Sequence, residues 1–166
     1  MKTQVWQVGG KWIDLDTTEV GTWVKTTNNT DIFKSVQEYE EIGSDSTTSP
    51  LFFDFDSTDI AVSQKDTIKV VEYLQQYTTP EIYFSGNKGF HVIVRQEVVG
   101  IDFTVDLHKK MKNFVKFVEN SIEPLPTLDY VVYSSKRMLR IPNSKHGKSG
   151  LYKIPISLEE LKNNTV

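Results

Sequence analysis

The chain has 166 residues, 38% hydrophobic and 11% aromatic, enough to bury one ordinary core, and a formal charge of −3. It has no cysteine, which excludes disulfides, thiolate nucleophiles and cysteine-based zinc sites, and its only imidazoles are His91, His108 and His146. No apolar run is long enough to span a bilayer and residues 1–10 lack the pattern of a signal peptide, so a cytosolic chain without a membrane partner is expected, whose nucleic-acid contacts, if any, use a local basic patch.

From residue 5 to 24 the tryptophans Trp6, Trp12 and Trp23 alternate with polar residues and glycines, which predicts short strands with turns at Gly9-Gly10 and Gly21. No recognisable chemistry lies there. Residues 33–39 read as a short helix or a strand, and 43–50 as a loop. Leu51-Phe52-Phe53-Asp54-Phe55-Asp56 then reads as a strand. Ile60, Val62, Ile68, Val71, Leu74 and Tyr77 predict an amphipathic helix over 59–77 with its apolar side on a sheet, broken by Thr78-Thr79-Pro80.

Residues 81–84 and 89–94 predict antiparallel strands across the turn 85–88. Leu107, Met111, Phe114, Val115 and Val118 mark a second helix over 102–120, stopped by Pro124 and Pro126. A strand over 127–133, a basic stretch, a strand through 151–156 and a short helix from Ser157 complete the chain. The order strand, helix, strand, strand, helix, strand is the split βαβ pattern of an RRM or ferredoxin-like sheet, an α+β class. One domain is expected, with 1–49 an extension of a core spanning 50–158.

Asp54 and Asp56, two residues apart on a strand, project from one face and are able to grip the same cation. Paired carboxylates raise each other's pKa unless something positive lies between them, and a divalent metal is the usual answer. The competing reading is a strand running into a solvated acidic turn. In Ser85-Gly86-Asn87-Lys88-Gly89-Phe90-His91 two glycines flank a lysine, and a histidine follows; glycines let backbone N–H groups approach phosphate, and Lys88 and His91 offer charge-assisted donors. A plain hairpin turn is the alternative there, and neither the dinucleotide fingerprint nor the P-loop spacing is matched. Asp129 begins the strand at 127–133, and the split βαβ topology brings it towards Asp54 and Asp56. Lys136, Arg137, Arg140, Lys145, His146, Lys148 and Lys153 form a basic segment in an otherwise acidic chain, the mark of a polyanion site or of a solvated face.

Taken in order, these stretches resemble the archaeo-eukaryotic primase superfamily, the small-subunit primases and primase-polymerases. The apolar strand ending Asp54-x-Asp56 resembles that family's first motif, Ser85 to His91 its Ser-Gly-x-x-Gly-x-His, and Leu128-Asp129 its third. Arg140, Ser144, His146, Lys148, Ser149, Gly150 and Pro155 fit a further pattern. The resemblance implies an RRM-like catalytic sheet with a small N-terminal αβ extension, and a template-directed nucleotidyltransferase that adds nucleotides to a 3′-hydroxyl in DNA replication of a phage, plasmid or other replicon. It further implies that Asp54, Asp56 and Asp129 hold two Mg²⁺ or Mn²⁺ ions, with no zinc. Ser85, Gly86, Lys88, Gly89, His91, Arg140, Ser144 and His146 would bind the incoming nucleotide. Arg137, Lys145 and Lys148 would face phosphates or the template backbone. The implied partners are single-stranded DNA template or primer–template, NTP or dNTP, and a helicase or accessory primase domain. With no cysteines for the zinc element many relatives carry, unaided primer initiation is not expected.

Two other readings compete. Asp54-Phe55-Asp56-Ser57-Thr58 fits the start of haloacid dehalogenase-type phosphohydrolases, which use an aspartate nucleophile, although nothing after Asp129 supplies their late acidic pair. A non-catalytic RRM-like module would instead need exposed rings for base stacking, and Phe53, Phe55 and Phe90 are the candidates.

Overall fold

The computed structural model describes residues 1–43, 46–100 and 106–163. The first half of the chain runs β1 (Lys2–Gln7), β2 (Ile13–Asp16), α1 (Val20–Val24), β3 (Ile32–Ser35), β4 (Glu38–Tyr39), β5 (Ser46–Thr48), β6 (Leu51–Asp56) and α2 (Ile60–Leu74). The second half runs β7 (Glu81–Phe84), β8 (Gly89–Val94), α3 (Gln96–Val99), α4 (Leu107–Ser121), β9 (Met138–Arg140), β10 (Ile154–Pro155) and α5 (Leu158–Lys162). They form two sheets, one in the order β5-β4-β1-β3-β9 with β2 also against β1, the other β10-β7-β8-β6.

The second sheet has the expected split βαβ order, because β8 lies between β6 and β7 and is antiparallel to both. Every residue of β6 is in register with β8, from Leu51↔Val94 to Asp56↔Gly89. Pleating sends Leu51, Phe53 and Phe55 to one side, where they join Val70, Val71 and Leu74 of α2, Met111, Val115 and Val118 of α4, and Leu161 of α5. Each such ring or branched chain gains about 2 kcal/mol from full burial, and that gain holds the register. Phe53, Phe55 and Phe90 are at most 2% exposed. They are core residues, and no base can stack on them.

The structure corrects several local expectations. α2 buries Ser63, Asp66, Thr67, Val70, Val71 and Leu74, a stripe at helical spacing whose first half is polar, while Ile60, Val62 and Tyr77 are exposed. Within that polar half Ser63 bonds the Lys88 carbonyl and Asp66 bonds Thr127, partners on other segments that hydrophobic periodicity does not register, while Thr67 bonds the Ser63 carbonyl of its own helix. Segment 127–133 is not a strand: it contributes one antiparallel bridge, Phe55↔Leu128, before a 3₁₀ turn at Tyr130–Val132. The strand through 151–156 shrinks to β10, Gly21 lies within α1, and 43–50 includes β5. Residues 102–105 of the second helix lie outside the described residues, and α3 precedes them.

The N-terminal sheet is joined to the rest by β3 pairing with β9, which brings Phe33 opposite Arg140 and Ser35 opposite Met138. The chain up to residue 49 therefore frames the basic segment.

Gly89 is needed for close backbone approach, since a Cβ there would sit 1.9 Å from the carbonyl oxygen of Phe55. Replacing Gly89 by Ala should cost about 3 kcal/mol or more, because a backbone neighbour has no rotamer by which to give way. Urea unfolding measures it; an unchanged midpoint would contradict the β6–β8 spacing.

Candidate active site

On the face of the second sheet away from the helices, β6 presents Asp54 and Asp56, and β8 presents His91 directly opposite Asp54. This face looks towards β9 and the N-terminal sheet. Between them lies a cleft of about 220 Å³ whose lining includes Asp54, Asp56, Ser85, His91, Arg137, Arg140 and His146. Phe33 and Asn87 also line it. A larger cavity of about 640 Å³ lies among Trp12, Tyr39, His108 and Lys136, and among the described residues Asp106 is the only carboxylate on its wall. The smaller cleft is the one in which opposite charges face each other at close range.

Asp54 is the electrostatic centre. Burial pushes its carboxyl up to about 7, Arg137 acts in the opposite sense, and Asp129 and then Asp56 raise it further. Arg137 Nη2 stands 3.9 Å from Asp54 Oδ2, and His91 Nε2 is 3.5 Å from Asp54 Oδ1. The expected approach of Asp129 is therefore realised, and its route is visible: the Asp129 N–H donates to the Asp54 carbonyl at 2.8 Å, and the Asp56 N–H donates to the Thr127 carbonyl at 3.0 Å. Asp129 nevertheless turns Oδ1 to accept from the Val131 N–H at 2.7 Å. Among the described residues no three His, Asp or Glu side chains converge on one point.

The donor chemistry still fits a hard divalent cation. Three carboxylates share one field, all donors are oxygen, and Asp54 is held in a medium that penalises its ionised form unless positive charge is supplied. Two buried polar atoms beside the cleft, His91 Nδ1 and Arg137 Nε, have no hydrogen-bond partner among the described residues. The site is thus built with polar capacity to spare.

His91 is not the charge-assisted donor that its place in the glycine turn predicts. Burial, then the charges of Lys153, Arg140 and Arg137, hold its pKa well below the usual histidine range, so it is a neutral imidazole. Gly86 and Gly89 also differ from expectation. A Cβ on Gly86 would meet the backbone of 151–153 at 3.2 Å, the Ser149 hydroxyl donates to the Gly86 carbonyl, and Gly89 lies against Phe55. Both glycines serve backbone packing. Lys88 lies outside the cleft lining, 3.9 Å from Asp56 Oδ2 in an exposed and therefore weak pair.

The basic wall is held from behind. Arg140 Nη1 donates to Asp31 Oδ1 at 2.6 Å and to the Lys145 carbonyl at 3.0 Å, and its guanidinium lies 4.8 Å from the centre of the Phe33 ring. Asp31 Oδ1 also accepts the Gly147 N–H at 2.9 Å. His146 Nδ1 accepts from the N–H groups of Lys148 and Ser149 at 3.2 and 3.4 Å. That network assigns the ring proton to Nε2, a donor available to the cleft. Ser144 is fully buried and donates to the Ile141 carbonyl at 2.6 Å, while Lys145 and Lys148 lie outside the lining.

Two supporting residues left no usable mark in the sequence. Asp31 sits 109 positions before its partner Arg140, in a stretch with no motif. Lys153, although inside the basic segment, is 1% exposed rather than solvated. Its ammonium donates to the Arg140 carbonyl at 3.0 Å and lies 5.0 Å from the Tyr83 ring centre, and burial pushes its pKa down to about 7.

In fold, the chain is similar to the polymerase domain of Mycobacterium tuberculosis Ligase D in complex with DNA, with a TM-score of 0.62 at 14% identity, covering 100% of this chain and 66% of that one. The α+β architecture, with its split βαβ sheet beneath a cleft of mixed charge, is the fold of that polymerase domain. The sequence is similar to the DNA primase small subunit PriS of Saccharolobus solfataricus, 33% identical over 91 residues, covering 43% of this chain and 28% of that protein. PriS of Saccharolobus islandicus strain L.S.2.15 gives 34% identity over 91 residues with the same coverage. The chain thus spans 28% of the length of these curated relatives. No protein-family model matches it. No helix among the described residues is long and apolar enough to cross a membrane.

Two expectations follow. Asp54 ionises in the metal-free fold near pH 7, against about 3.9 unfolded, so its contribution to stability is greatest below about pH 4 and is lost as the pH rises towards 7. Asp54→Asn should therefore gain on the wild type in melting temperature between about pH 4 and 8, and added Mn²⁺ should stabilise the wild type more than the variant. A difference independent of pH would contradict the buried-carboxylate account. Separately, Asp31→Ala leaves a guanidinium of 10% exposure without its carboxylate and should cost about 2 kcal/mol in urea unfolding.

Proposed function

We propose that the chain is a template-directed nucleotidyltransferase, a DNA primase or primase-polymerase core that joins nucleotides to a 3′-hydroxyl. The observation that carries this reading is the charge layout of the cleft. Asp54 and Asp56 project from one strand and share a field with Asp129, and Arg137, Arg140 and His146 face them. Such a site is matched to a triphosphate and a metal together, since the carboxylates repel a bare phosphate and the basic wall repels a bare metal.

The chain's residues have distinct tasks in this reading. Arg140, aimed by Asp31, and His146, through Nε2–H, hold the phosphates of the incoming nucleotide, with Ser85 and Asn87 lining their path. His91 acts as a neutral donor beside Asp54, and Arg137 offsets the Asp54 charge. Mg²⁺ or Mn²⁺ held by Asp54, Asp56 and Asp129 would supply the positive charge that activates the attacking hydroxyl and neutralises the departing pyrophosphate. Lys88, Lys145 and Lys148, outside the lining, are assigned to the template backbone or the outer phosphates. The relatives' names, a primase subunit and a polymerase domain in complex with DNA, support this class over phosphate-ester hydrolysis.

Incubation with labelled nucleotide, a primed DNA template and Mn²⁺ separates the readings. Extension of the primer is expected; release of phosphate alone indicates a phosphohydrolase, and binding alone a non-catalytic module. Asp54→Ala, Asp56→Ala and Asp129→Ala should each lower extension by about 100-fold or more with the fold intact by circular dichroism, because each removes a preorganised charge from the reacting centre. Full activity in any one removes that residue from the catalytic set.

A further inference from the structure

Asp129 lies outside the cleft lining but within the field of Asp54, and it comes there without a strand to carry it. Among the described residues only the Phe55↔Leu128 bridge, which consists of the Asp129 N–H bond to the Asp54 carbonyl and the Asp56 N–H bond to the Thr127 carbonyl, ties segment 127–129 to β6. A lone bridge at a sheet edge opens readily, because few hydrogen bonds must break together. Something else holds the third carboxylate in place.

The polar half of the α2 stripe supplies it. Asp66 is a carboxylate of 3% exposure, and a single oxygen, Oδ2, accepts both the Thr127 N–H at 3.1 Å and the Thr127 hydroxyl at 2.8 Å. The Thr127 carbonyl in turn accepts the Asp56 N–H, and the Asp129 N–H binds the Asp54 carbonyl. One residue on α2 thus fixes the point from which the backbone runs alongside both carboxylates of β6. A buried acid is costly, and here both of its bonds go to the segment bearing Asp129.

We propose that Asp66 is a positioning residue for Asp129. It holds Thr127 so that the third carboxylate stays within reach of the cation shared with Asp54 and Asp56. It touches neither substrate nor metal. The inference rests on the reading of the cleft as a nucleotidyl-transfer site, and it adds a residue that lies outside every motif.

The test compares Asp66→Ala, Asp66→Asn and Thr127→Val in the full chain by two measurements. The first is amide hydrogen exchange in metal-free protein: Asp66→Ala should speed exchange at the Asp56 and Asp129 amides by about tenfold or more and leave Val92 on β8 unchanged. Asp66→Asn keeps a carbonyl oxygen where both bonds are accepted and should stay within about threefold of wild type. The second is primer extension: Asp66→Ala should raise the Mn²⁺ concentration for half-maximal rate by about tenfold with nucleotide KM changed by less than about threefold, and Asp66→Asn should restore it. Wild-type protection at Asp129 in Asp66→Ala, or equal damage from Ala and Asn, would overturn the proposal. Should Asp66→Ala fail to fold, Thr127→Val decides: it deletes only the hydroxyl bond, an exchange increase of about threefold is expected at Asp129, and no change overturns the idea. If wild-type protein shows no extension at all, the nucleotidyl-transfer reading fails, and the exchange data still decide whether Asp66 holds the segment.

Discussion

The register of β6 against β8 is the constraint on which the molecule depends. With Asp54 opposite His91 and Asp56 opposite Gly89, the apolar alternates Leu51, Phe53 and Phe55 go into the helix-covered core and the acids go into the cleft. A slip of one residue would bury two carboxylates among Val70, Val71 and Val115 and turn two phenylalanines into the cleft. Core burial and site placement are therefore one choice. The lack of a side chain at Gly89, where β8 passes Phe55 at close backbone range, belongs to the same constraint.

Against this acidic strand the fold sets a basic wall built from a different sheet. β9 carries Met138 to Arg140, and β3 holds it by backbone pairing. Asp31 fixes the Arg140 guanidinium, and Lys153 fixes the Arg140 carbonyl from below. Burial makes both signs of charge uncomfortable: Asp54 is pushed up and Lys153 down, each towards about 7. The attraction between them opposes both shifts, and the directions set by desolvation prevail. In the proposed reading, a metal with a polyphosphate would satisfy both walls at once.

The segment bearing Asp129 illustrates how little regular structure is needed to set a carboxylate beside a neighbouring strand. It is a bridge, a 3₁₀ turn and a cap, stabilised from α2. The Asp129 Oδ1 accepts a charge-assisted hydrogen bond from the Val131 N–H at the start of the 3₁₀ turn.

Some of this was legible in the residues. The alternation through Asp54 and Asp56 fixed their common face, the turn at 85–88 fixed the β7–β8 hairpin, and the order of elements gave the split βαβ sheet, because these features depend on local periodicity and turn chemistry. The grouping of Arg137, Arg140 and His146 was legible as a basic segment. What only tertiary structure decided is which members of each motif face the cleft. Ser144 turns inward, Gly86 and Gly89 serve backbone packing, and His91 is neutral because of its burial and then the charges of Lys153, Arg140 and Arg137. Asp31 and Asp66 act on partners 109 and 61 positions away, and spacing along a chain carries no information about such pairs. Burial, charge state and long-range partnership are properties of packed neighbours, so they exist only once the sheets have come together.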